Sequence, residues 1–178
     1  MDLLPTAILE CFRVKPFLLK DSRGSFFKTF NKNEFFQLGL ATEWPEQYFS
    51  ISQRGVIRGM HFQTPPYAHE KLVFCLKGKV LDVVLDLRRE SSTYGCVSAM
   101  ELDGSQGDGV YIPKGLAHGF ATLSEEAMMG YLTTTVHSPE YDCGIHWASI
   151  DVDWRVKNPI VSLRDGKHPP LDQFNSPF

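Results

Sequence analysis

Residues 107–118 read Gly107-Asp108-Gly109-Val110-Tyr111-Ile112-Pro113-Lys114-Gly115-Leu116-Ala117-His118. Gly109–Ile112 is a short apolar run of the strand type, and Pro113 with Gly115 makes a tight turn into a second strand that carries His118. Similar runs lie on both sides of this turn. They are Phe12–Leu19, Ser25–Phe30, Gln47–Ser52, Val56–Gln63, Lys71–Leu76, Lys79–Leu87, Cys96–Leu102, Ala117–Leu123 and Met128–Val136. Leu76-Lys77-Gly78-Lys79 reads as a hairpin turn between two of them. Along 80–87, Leu81, Val83, Leu85 and Leu87 share one face, while Asp82 and Asp86 share the other with Val80 and Val84. Helical signal is confined to Asn31–Leu40, with Asn31 or Asn33 as cap and Phe35 and Phe36 as anchors. The tail beyond Asn158 holds Pro159, Pro169, Pro170 and Pro177 and is expected to run as surface coil. About ten short strands with few helices predict an all-β sandwich or barrel over residues 1–178, as a single domain.

Composition narrows the functions open to such a domain. The chain has 178 residues and a formal net charge of -3, so it carries no basic footprint and nucleic acid is not an expected partner. A few local cations could still hold an anionic small molecule. Cys11, Cys75, Cys96 and Cys143 form no CxxC pair, which argues against a zinc knuckle or a redox dithiol. The first twelve residues include Asp2 and Glu10 and no basic segment, unlike a secretory signal, and no apolar run is long enough to span a membrane. A cytoplasmic protein with reduced thiols is the expectation.

The spacing Gly107-x5-Pro113-x-Gly115-x2-His118 resembles the second cupin motif, which implies a jelly-roll β-barrel or sandwich with a few short helices. A hairpin with a packed histidine is the alternative reading of the same residues. Many metal-binding cupins have an asparagine four residues after that histidine; here Thr122 stands there. The first cupin motif supplies His-x-His, and this chain reads His61-Phe62-Gln63. His61, Gln63, Glu70 and His118 would be a poor divalent-metal set, so the expectation is a cupin without metal or other cofactor. His61 and His118 are then free for acid–base work or substrate contact. In Ile57–Gln63, alternation puts Gly59, His61 and Gln63 on one face and Arg58 on the other, unless Gly59 forms a bulge that re-aims it. Lys71 shares a face with Val73 and Cys75, where a cation is costly to bury without an anionic partner; at a strand entry it could instead face water.

A longer ordered set resembles the dTDP-4-dehydrorhamnose 3,5-epimerase family. It comprises Asp21–Phe27, Gly55–Gln63, Glu70–Val73, Asp82–Arg88, Ser91–Gly95, Ile112–Phe120, Ser138–Glu140 and Ser162–Asp165. The resemblance implies a nucleotide-linked 4-keto-6-deoxy sugar as substrate and inversion at C3, C5 or both, in deoxysugar biosynthesis. Residue by residue, it implies that His61 is the base, Asp165 its carboxylate partner, Tyr131 the acid and Lys71 the group near the ketone oxygen. It places Arg23, Phe26, Lys28, Glu46, Tyr48, Arg58, Gln63, His118 and His137 among the substrate contacts. It also implies a homodimer in which Arg23 reaches the neighbouring site.

Four departures from the family pattern stand out. Glu46-Gln47-Tyr48 stands for the usual Gln-Asp-Asn, Lys28 for Glu, Phe74 for Arg, and His137 for Tyr. They imply a shifted substrate choice: another nucleotide such as CDP or GDP, another sugar, or inversion at one carbon. Two rival functions are a metal-dependent cupin (an oxygenase or sugar isomerase) and a non-catalytic sugar-nucleotide-binding cupin. Intact Tyr131, Lys71 and Asp165 argue against pure binding.

Overall fold

The computed structural model describes Met1–Phe178. Its thirteen strands are β1 (Asp2–Pro5), β2 (Phe12–Lys15), β3 (Phe17–Asp21), β4 (Gly24–Lys28), β5 (Glu46–Gln53), β6 (Ile57–Gln63), β7 (Lys71–Lys77), β8 (Lys79–Asp86), β9 (Val97–Asp103), β10 (Gly109–Ile112), β11 (Leu116–Thr122), β12 (Glu126–Thr133) and β13 (Asp142–Gly144). One sheet runs β1-β2-β10-β7-β12-β5 and a second runs β13-β6-β11-β8-β9, while β3 and β4 form a separate hairpin. The two facing sheets make a cupin-type jelly-roll sandwich.

The turns at 77–79 and 113–115 are sheet-to-sheet corners rather than hairpins. Strand β7 belongs to the first sheet and β8 to the second, and β10 and β11 are divided in the same way. The local signal for a turn is the same in both cases, because Gly and Pro report a reversal and not the partner of the next strand. The chain changes sheet at most connections, so hydrogen-bonded neighbours come from distant sequence. That exchange is what gathers the site. Pro16, between β2 and β3, divides the expected run Phe12–Leu19 into strands of different sheets. Strands β1 and β13 fall outside the sequence expectation.

Each large sheet packs against a core on both faces, although β1 and β5 at the ends of the first sheet stay largely exposed. Between the two sheets lie Val73, Cys75, Val80, Val84, Val110, Ile112, Leu116, Phe120, Met129 and Tyr131. Leu81, Val83, Leu85 and Leu87 face outward from the second sheet onto Ile145, Ile150 and Trp154. The tail completes this cover: Val161, Leu171, Phe174 and Phe178 pack on it, and Phe62 meets the rings of Phe174 and Phe178 edge-on. It is mostly coil, as expected, yet it closes a core. On the first sheet, Phe35 of helix α1 (Lys32–Gln37) packs with Val14, Leu72, Phe74 and Tyr111. Asn31 caps the helix by accepting from the Asn33 and Glu34 N–H groups. Phe36 does not anchor it; it is 76% exposed, because one turn of helix presents only one of two adjacent residues to a sheet. No helix is long and apolar enough to cross a membrane.

Candidate active site

A bulge in β6 builds the centre of the site. His118 of β11 pairs with His61, but Phe120 pairs with Arg58, so three steps on β6 oppose two on β11. The extra residue turns Arg58 to the side of His61, as the bulge reading of Gly59 anticipated. Gly59 sits at φ 133, and a Cβ there would stand 2.5 Å from Gly119 Cα. Only glycine fits both the dihedral and the gap.

Two adjoining cavities open between the sheets and share Tyr48, His61 and Lys71. The larger, about 360 Å³, is also lined by Glu46, Gln63, His69, His137, Asp142 and Arg164. The smaller, about 200 Å³, adds Ser50, Arg58, His118 and Tyr131. His61 enters from β6 and Tyr131 from β12, so they stand on opposing sheets.

Asp165 comes from the tail. Its Oδ1 lies 2.8 Å from His61 Nε2, and its Oδ2 accepts the Gly59 N–H at 3.2 Å. Burial alone would raise the Asp165 pKa, but the His61 bond and charge and the Gly59 N–H hold it at about 2. An ionised Asp165 fixes the His61 proton on Nε2, so Nδ1 keeps the lone pair that can take a proton. Lys71 is 7% exposed, and its Nζ donates to the His61 carbonyl at 3.0 Å. Burial lowers its pKa to about 8, only partly opposed by the charges of Asp142 and Asp82. Holding a lysine at about 8 instead of 10.5 costs about 3 kcal/mol. A fold that carries this cost with no ion-pair partner has a cation ready for charge arriving from outside.

Tyr131 is 6% exposed. Its hydroxyl lies 3.1 Å from Ser50 Oγ, and its ring stacks on Tyr48 at 4.7 Å. Burial pushes its pKa upward, more than the Ser50 bond lowers it, so it holds its proton as an acid should. Arg58 donates to Ser52 Oγ at 2.9 Å and the Ile51 carbonyl at 3.3 Å, both neutral, which leaves its charge available. His118 is buried against Asp82, Nε2 to Oδ2 2.8 Å.

The remaining expected residues divide. Glu46 accepts the His137 N–H at 3.0 Å, so these two and Tyr48 form one wall of the larger cavity. Gln63 lines it too, but its amide is engaged by the Tyr67 carbonyl, His69 and the Ser138 N–H. The β3–β4 hairpin does not join them within one chain. Arg23 is 88% exposed in an ion pair with Asp21, Phe26 is exposed, and Lys28 lies beside them outside both cavities. Ser50, His69, Asp142 and Arg164 were not expected. Asp82 could have been found, because a carboxylate alternating with Val80 and Val84 must seek a buried partner.

The cupin metal set does not assemble. His61 and His118 each commit Nε2 to an aspartate, Gln63 Oε1 accepts from Ser138, and Glu70 accepts the Tyr111 hydroxyl. His61 and Tyr131 face one cavity from opposing sheets with Lys71 in its lining, an arrangement that can pass protons to both faces of one carbon.

A family model described as dTDP-4-dehydrorhamnose 3,5-epimerase matches residues 5–173. The chain belongs to this family. It is 38% identical over 168 residues to the dTDP-4-dehydrorhamnose 3,5-epimerase of Shigella flexneri, covering 93% of each. It is 35% identical to the dTDP-4-dehydrorhamnose 3-epimerase of Streptomyces niveus, covering 93% of this chain and 81% of that one. Among solved structures, it superposes with a TM-score of 0.93 on a dTDP-6-deoxy-D-glucose-3,5-epimerase from Legionella pneumophila in complex with dTDP-4-keto-L-rhamnose. The two are 32% identical, with 98% of this chain and 94% of that chain covered. The family thus includes enzymes named for both carbons and for C3 alone.

Proposed function

We propose that the chain inverts C3, C5 or both in a nucleoside-diphosphate 4-keto-6-deoxy sugar, by way of an enolate. The observation that carries this reading is one cavity lined by the buried Lys71, by His61 with Asp165 of the tail behind it, and by Tyr131 on the opposing sheet. His61 Nδ1 takes the proton next to the ketone, and the C–H electrons move onto the C4 oxygen. The Lys71 ammonium stabilises the charge that develops there, commonly the largest single contribution to such a rate. Tyr131 returns a proton from the opposite face, and exchange with water resets both groups. Arg58 is free to meet the diphosphate. No step calls for a metal or cofactor.

The β3–β4 hairpin supports a homodimer. Phe17, Leu19 and Phe26 are exposed on it beside Arg23, a surface that suits insertion into a second copy. In that arrangement Arg23, Phe26 and Lys28 complete the partner's nucleotide site. Glu46, Tyr48 and His137 form the wall that sets substrate choice, so the preferred nucleotide or sugar differs from that of relatives with other residues there.

Proton NMR in heavy water with dTDP-, CDP- and GDP-linked 4-keto-6-deoxyhexoses tests the reading. Exchange at C3, C5 or both is expected with one of them. No exchange with any of the three overturns it.

A further inference from the structure

Beside the base stands a histidine that epimerisation does not use. The His168 side chain is 12% exposed, and its Nε2 is buried without a hydrogen-bond partner. A buried ring nitrogen left unpaired forfeits its hydration for no return, which calls for an occupant. This nitrogen lies 3.8 Å from Asp165 Oδ1, itself 2.8 Å from His61 Nε2. One ligand atom from each of His61, Asp165 and His168 lies within 4.8 Å of the other two. The position is fixed from two sides. A Cβ on Gly144, the cross-strand neighbour of His61, would stand 2.5 Å from the His168 ring, and the His146 N–H holds the Pro169 carbonyl at 2.8 Å.

Two imidazole nitrogens and a carboxylate oxygen are zinc-type donors, and bonds of 2.0–2.2 Å set tetrahedral donors about 3.3–3.6 Å apart. The observed 2.8 and 3.8 Å bracket that spacing. We propose that His61, Asp165 and His168 form an inhibitory site for a divalent transition-metal ion of the zinc class. This rests on the reading of His61 as the base. It is separate from the cupin metal set, since Gln63, Glu70 and His118 take no part. The ion replaces the proton on His61 Nε2, and that proton moves to Nδ1, so the ring stays neutral and no proton is lost. Nδ1 then has no lone pair with which to take a proton from the sugar. Arg164, the nearby cation, is engaged with Asp142 at 2.7 Å.

Cobalt(II) serves as the visible probe, added to chelator-treated protein whose buffer exchanges solvent deuterium into substrate. One equivalent is expected to give the absorption bands of a low-symmetry site. Outer-shell partners of metal sites are worth roughly 10–100-fold in affinity, so losing a direct ligand in His168→Ala should weaken binding about 100-fold or more. His168→Gln, which fills the ring's space, should do the same. Zinc should stop exchange in the wild type, reversibly by EDTA, and leave both variants running at the chelated wild-type rate. Cobalt spectra that do not change in either variant, or no binding by the wild type, overturn the site and leave the epimerase reading standing. Zinc that speeds exchange in chelated protein overturns both the inhibition and the metal-free mechanism.

Discussion

Two histidine–aspartate pairs lie side by side in this sandwich and differ in almost everything but bond length. His61 and His118 are direct cross-strand partners, and each places Nε2 2.8 Å from an aspartate oxygen. The His61 side chain is 29% exposed and lines both cavities, and its aspartate arrives from the tail with a backbone N–H on its second oxygen. The His118 side chain is 4% exposed, and its aspartate sits on the adjacent strand β8 with Oδ1 unpartnered. A shared bond does not make a shared role. Access and the partner's satisfaction set what each imidazole can do: the open pair can trade protons with a ligand, and the closed pair holds strand β11 to β8 and offers the cavity an edge.

The largest expected effect separates the pairs outright. His61→Ala should lower deuterium exchange at both carbons at least 10²–10⁴-fold, roughly what a positioned base contributes, and should cost some stability too, because Asp165 Oδ1 loses its partner while Oδ2 keeps the Gly59 N–H. His118→Ala should cost more stability, about 3 kcal/mol, because Asp82 is left buried with neither oxygen partnered. A His61→Ala enzyme exchanging at the wild-type rate would break the comparison.

Next in size is the acid on the opposite wall. Tyr131→Phe should keep part of the exchange, because His61 can return the proton it removed, and lose net inversion. His137, which lines the same larger cavity as His61, is the candidate substitute donor. If Tyr131→Phe and Tyr131→Phe with His137→Ala both invert at the wild-type rate, Tyr131 is not the acid.

The smallest effect is a pH limb set by Lys71, which donates to the His61 carbonyl and feels the charge of Asp82 from the closed pair. Lys71 holds its charge below about 8, so the exchange rate should fall by about tenfold per unit above that pH. Stability should move the opposite way. The unfolded lysine, at 10.5, binds more protons between about 8 and 10.5, so the burial penalty of Lys71 fades as pH rises through that window. Lys71→Met should remove the stability change, read by urea unfolding across pH.

Contiguous motifs made much of this legible before any coordinates. The bulge at Gly59, the burial of Lys71 and the strand position of His118 all sit inside short patterns, where alternation and cost of burial speak directly. What stayed hidden depends on contacts far apart in the chain. The pairing of Asp165 with His61 came from the family resemblance, because a tail without periodicity does not say what it touches. The same blindness turned the inter-sheet corner at 77–79 into a hairpin, kept a hairpin open as the alternative at 113–115, and left His168 unnoticed. The hairpin bearing Arg23 lies between the expected runs Phe12–Leu19 and Ser25–Phe30, and within one chain it stays outside both cavities.

The near-contact between Gly59 and Gly119 has a consequence for anyone wishing to reshape this enzyme. A side chain at 59 meets Gly119 Cα at 2.5 Å, and one at 119 meets the Arg58 carbonyl at 2.7 Å, so neither substitution can rescue the other. A mutagenesis library that randomises these two positions spends its members on misfolded strands. One that varies Glu46, Tyr48 and His137 leaves the bulge intact, and new sugars can be sought there while the proton-transfer machinery stays in register.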